Sequence, residues 1–74
     1  MITVIVHVGP GSWSRYKTVE LAACPHIGDE IVVGEEVIEC ERVQIGKKIW
    51  VIAPHHYRTL ERANELLKAG WTER

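Results

Sequence analysis

The chain opens with Ile2-Thr3-Val4-Ile5-Val6-His7-Val8, in which Ile2, Val4, Val6 and Val8 fall on one side of an extended backbone and Thr3, Ile5 and His7 on the other. Branched side chains suit a pleated surface, so the run predicts a strand over 2–8 with no clearly wet face. Gly9-Pro10-Gly11-Ser12 ends it, because proline cannot donate to a ladder and glycine has no side chain to pack. Tyr16, Thr18 and Glu20 then alternate with Lys17, Val19 and Leu21, predicting a second strand over 16–22 that Pro25 closes. The Gly28-Asp29 turn leads into a third strand over 29–33, and Gly34-Glu35-Glu36 turns the chain back.

Between residues 37 and 45 the alternation changes phase: Ile38 and Cys40 share one face, Val43 and Ile45 the other. A β-bulge near Glu41 or Arg42 would restore a single buried face and bend the strand. After Gly46-Lys47 a fifth strand is predicted over 48–53, with Ile49, Val51 and Ala53 opposite Lys48, Trp50 and Ile52. From Arg58 the period becomes helical, with Leu60, Ala63 and Leu67 in a stripe broadened by Leu66. This predicts a helix over 58–69 with Thr59 as N-cap and all four apolar residues docked. Gly70 suits the left-handed residue that ends a helix, leaving Trp71 to pack back on Leu66. The expected fold is mainly β: a five-stranded, strongly bent antiparallel sheet, or a small barrel, with one C-terminal amphipathic helix.

Seventy-four residues support one domain over 1–74, and such a chain has a stability on the order of 4–11 kcal/mol. With 46% hydrophobic and 26% charged residues the composition is globular, excluding disordered and collagen-like classes. The apolar run at the start has no basic residue before it and no small-residue cleavage site after it, and it is far shorter than a membrane span. A cytoplasmic protein is therefore expected. Cys24 and Cys40 are too few for a disulfide framework, and reduced, buried thiols are the expected state.

The run Pro25-His26-Ile27-Gly28-Asp29-Glu30-Ile31-Val32-Val33, followed by Glu41-Arg42-Val43 and Ile49-Trp50-Val51, resembles a pattern common in short uncharacterised bacterial proteins of phages, plasmids and gene cassettes. The resemblance covers roughly residues 25–53. It implies a small barrel of the Src-homology-three type and brings no functional residue with it.

Candidate chemistry is sparse. Cys24, His26 and Cys40 could converge if the second and fourth strands were neighbours, which leaves a metal site or a small thiol enzyme as an alternative. The spacing matches no zinc module and no catalytic signature, so no metal, no cofactor and no enzyme activity is expected. Net charge is −1, yet residues 27–42 carry six acidic side chains and one basic, whereas residues 43–74 carry six basic and three acidic. Trp13, Arg15, Tyr16 and Lys17, together with Lys47, Lys48 and Trp50, interleave aromatics and cations as single-strand nucleic-acid binders do. That is the second functional reading. The first is protein interaction or self-association, because a first strand apolar on both faces is hard to cover with so short a chain. A dimer or another protein is the expected partner, with no membrane contact, and a monomer would require Ile5 to lie under the helix.

Overall fold

The computed structural model describes residues 1–9, 14–56 and 60–73. These form β1 (Ile2–Val8), β2 (Arg15–Leu21), β3 (Glu30–Val33), β4 (Glu36–Glu39), β5 (Arg42–Ile45), β6 (Ile49–Ala53), α1 (Leu60–Lys68) and β7 (Thr72–Glu73). Five strands make one sheet in the order β5-β6-β1-β2-β7, and β3 and β4 make a separate hairpin. The protein is thus mainly β with one helix, and its two sheets stay open.

Central β1 pairs antiparallel with β2, Val4 opposite Val19 and Val8 opposite Arg15. On its other side it pairs parallel with β6, Val4 opposite Ile49 and Val8 opposite Ala53. This corrects the all-antiparallel expectation. Alternation reports which face a residue occupies but not which way a strand runs, and a β5–β6 hairpin can be set beside β1 in either direction. Since β7 is antiparallel to β2, it runs the same way as β6, and α1 supplies the crossover that such a placement needs.

The predicted strand over 37–45 is two strands, giving six of four or more residues plus the two-residue β7, not five. The Cys40 backbone N–H donates to the Asp29 carbonyl and its own carbonyl accepts from Gly28 N–H, both at 2.8 Å, which holds Cys40 against the entry to β3. From Arg42 onward the chain pairs with β6 instead, Val43 opposite Val51. The phase change therefore marks a transfer between sheets rather than a bulge: Ile38 and Cys40 are buried from the hairpin side and Val43 is half-buried from the other.

On one face of the large sheet, Val4, Val6, Val8, Val51 and Ala53 pack with Ile31, Val33, Ile38 and Cys40 of the hairpin region and with Ala63, Leu66 and Trp71 of the helix region. Hairpin and helix thus share the covering of that face, each fully buried aliphatic side chain contributing about 1.5–3 kcal/mol. Ala63 and Leu66 are the buried helix residues, Leu67 is half-buried, and Leu60 at the helix start is 48% exposed, so the docked stripe is narrower than expected. Residues 58 and 59, including the proposed Thr59 cap, lie outside the described residues.

The helix end follows the pattern. Gly70 has φ 97°, its N–H donates to the Leu67 carbonyl at 3.2 Å, and Trp71 N–H donates to the Leu66 carbonyl at 3.0 Å. This is a Schellman closure, and Trp71 joins Leu66 in the core as its apolar partner.

Candidate functional site

Residue parity divides the large sheet. Opposite the core, Thr3, Ile5 and His7 of β1 share a face with Tyr16 and Thr18 of β2, Trp50 and Ile52 of β6, and Arg42 and Gln44 of β5. Among the described residues no helix or strand lies across it. Ile5 is nonetheless only 9% exposed and stands outside the core cluster. Its cover comes from cross-strand neighbours Thr18 and Trp50 and from the turn before β6, since Thr3, Ile5, Thr18, Lys47 and Lys48 line one hollow of about 190 Å³. Lysine stems can shield apolar surface while their ammonium groups stay in water. The His7 and Trp50 rings meet edge to face, with centroids 6.5 Å apart and planes at 66°.

Four of the seven candidate surface residues come together here: Tyr16 and Trp50 on the sheet, and Lys47 and Lys48 at its edge. Two do not. Arg15 pairs with Val8 on the core face and is 3% exposed; its Nε donates to the Ala63 carbonyl at 3.3 Å and its Nη1 to the Ser14 carbonyl at 3.0 Å. It therefore ties β2 to α1 instead of offering a free cation. Lys17 faces the same way, lining a groove with Arg62 and Trp71. Trp13 lies outside the described residues. His7, Ile52 and Arg42 belong to the surface and were missed; the odd-numbered set Thr3, Ile5 and His7 was the signal that could have found His7. Ile5, expected under the helix in a monomer, lies on the face away from it, because α1 covers the even-numbered set.

A second surface sits on the opposite side of the molecule. On the outer face of the hairpin Val32 stands across from Val37, 69% and 52% exposed, with Ile27 nearby at 72%. The next outward pair is Glu30 opposite Glu39, two like charges directly across a ladder. Six acidic and no basic residues occupy positions 29–41, so the apolar patch is rimmed by carboxylates. Ile27, Val37, Glu39, Cys40, Glu41, His55 and His56 border an open groove beside it of about 610 Å³.

Histidine–carboxylate contacts hold the hairpin region to the rest. His55 Nδ1 lies 2.6 Å from Glu41 Oε1, and its backbone N–H donates to Glu41 Oε2 at 3.0 Å. Glu36 receives His56 Nε2 at 3.2 Å and also the Arg62 guanidinium, which links β4 to α1. The hydrogen bonds from His55 hold the Glu41 carboxyl below its usual range. Burial, aided by the negative charges of Asp29 and Glu39, pushes the Cys40 thiol up, so it stays protonated and a poor nucleophile.

Both cysteines are free, Cys24 half-buried and Cys40 buried. Among the described residues no three histidine, cysteine or carboxylate side chains gather around a common point, so the Cys24, His26 and Cys40 set is not assembled. His26 instead faces Asp29, whose carboxylate accepts the His26 backbone N–H at 2.8 Å. No described helix is long and apolar enough to cross a membrane. No family model, no curated protein and no solved structure matches this chain.

Proposed function

We propose that the protein is a non-enzymatic interaction module whose hairpin receives a basic, apolar segment of a partner protein. The observation that carries this reading is the exposed Val32–Val37 pair with Ile27 beside it, ringed by Glu30, Glu39 and Asp29. Exposed aliphatic residues clustered on one rigid element, with a charged rim, are the composition of a docking surface: the apolar centre supplies affinity and the rim supplies orientation and on-rate. The protonated, buried state of Cys40 argues against thiol chemistry in the adjoining groove.

Charge constrains the expected dimer. Pairing the hairpin patch with its own copy would set Glu30 and Glu39 against the same carboxylates, so a second copy would have to present a basic surface instead. The test uses a synthetic peptide of alternating lysine and leucine, followed by fluorescence anisotropy. Binding should weaken with salt, and Val32→Ser with Val37→Ser should remove most of it. A lysine–serine peptide of equal charge that binds equally well would show that the apolar patch is not used and would overturn the reading.

A further inference from the structure

We infer that the open face of the five-stranded sheet is a binding site for single-stranded nucleic acid, with Trp50 and Tyr16 as stacking surfaces and Arg42, Lys47 and Lys48 as phosphate contacts. The inference is independent of the hairpin, which lies on the other side of the molecule. Three observations converge on it.

The first is the placement of the aromatics. Trp50 sits beside Ile5 on β6, Tyr16 sits beside His7 on β2, and His7 props the Trp50 ring edge to face. Rings carried on the two strands that flank β1 are held apart at fixed spacing, and both stay partly exposed, as side chains on which bases stack must be. The second is charge. Arg42 occupies this face through its register with Ile52, and Lys47 and Lys48 line a hollow on it, whereas Glu30, Glu36 and Glu39 belong to the hairpin in the opposite layer. A net charge of −1 therefore hides a polarised molecule whose open face is basic. The third is shape. A sheet face with no helix or strand above it among the described residues admits splayed bases, which a duplex, with its bases stacked inside, does not present.

Neither a purely apolar occupant nor an ordinary protein surface fits as well. Ile5 is covered by its neighbours and Ile52 is half-buried, so rings and cations make up most of what the face offers. Glu20 also lies on this face, opposite Thr3 of the hollow that Lys47 and Lys48 line, so one carboxylate stands at the lysine end against three cations.

The test is anisotropy of a labelled oligothymidylate with the full chain, read across a salt series. Single-stranded oligomer should bind at low salt and weaken steeply as salt rises, with duplex of the same length bound less tightly. Lys47→Glu with Lys48→Glu, both on an exposed turn, should abolish binding and flatten the salt dependence, while Lys68→Glu on the exposed side of the helix should leave it unchanged. Trp50→Ala should weaken binding by about tenfold. Trp50→Phe, which keeps a ring and guards against simple unfolding, should recover part of that loss. Three results would each overturn the proposal: no binding at low salt, duplex bound as tightly as single strand, or an oligoglutamate peptide of equal charge bound as tightly as the oligonucleotide. The last would reassign the face to an acidic protein partner.

Discussion

The two faces of β1 are built from alternating residues of one seven-residue strand, and both are shielded from water, yet by different means. Val4, Val6 and Val8 are fully buried because a second layer, hairpin plus helix, is packed on them. Ile5 and His7, each 9% exposed, have no helix or strand above them among the described residues; Thr18, Trp50 and the lysines of the turn before β6 are neighbours of Ile5, and the Trp50 ring meets His7. Burial by a layer is fixed by the fold. Burial by neighbours can be exchanged for burial by a ligand, since the covering side chains need only change rotamer. A strand can therefore look apolar on both faces while just one of them belongs to the core.

The largest difference between the faces should appear on truncation. Leu66→Ala removes a 1% exposed side chain from the covering layer and should cost about 2–5 kcal/mol, a large part of the total stability. Ile5→Ala should cost clearly less, because no described helix or strand lies above it to enclose the space left behind. Chemical denaturation of both variants checks this, and equal losses would mean that the open face is packed like a core.

Next in size is Arg15. Arg15→Met should lower stability by about 1.5–3 kcal/mol through lost hydrogen bonds from a charged group to the Ala63 and Ser14 carbonyls. It should leave the salt dependence of oligonucleotide binding unchanged. A flattened salt dependence would place Arg15 among the phosphate contacts after all.

Arg15 also shows what the sequence could reveal. Alternation correctly set Tyr16 apart from Lys17, and by the same rule it sets Arg15 apart from Tyr16; grouping the three in one basic–aromatic surface ignored the two-residue period. Ends and turns were well marked: Gly70 and Trp71 close the helix as their residue types require, because those preferences are local. Strand partnership was not marked. Nothing in Ile49 to Ala53 states that it runs parallel to β1, and nothing in the Val37–Ile45 phase change distinguishes a bulge from a change of sheet, since both depend on contacts far away in sequence. The hairpin patch escaped notice for a related reason. Val32 and Val37 look like ordinary strand residues until their register shows that both point outward.

A smaller effect is expected from pH. Glu41 is held below its ordinary value of 4.5 by hydrogen bonds from His55, so its contribution to stability is complete above that value and is lost as pH falls through the lowered one. His55→Ala removes the side-chain hydrogen bond and keeps the backbone one, so it should bring the carboxyl part of the way back and make acid unfolding below about pH 4.5 less steep than in the parent chain. Identical acid profiles would mean that the contact contributes nothing to folding. Smallest of all is thiol reactivity: a thiol reagent at neutral pH should label half-buried Cys24 and spare Cys40, whose thiol is buried and pushed up.

The polarity of the molecule can be read in one experiment: amide and indole chemical shifts recorded while the same sample receives first the lysine–leucine peptide and then oligothymidylate. The peptide should move resonances of residues 27–41 and leave the Trp50 indole in place, and the oligonucleotide should then move Trp50, His7, Tyr16, Lys47 and Lys48 without displacing the peptide. Both ligands moving one common set of resonances, or the oligonucleotide moving Val32 and Val37, would contradict the assignment of separate binding roles to the two outer faces.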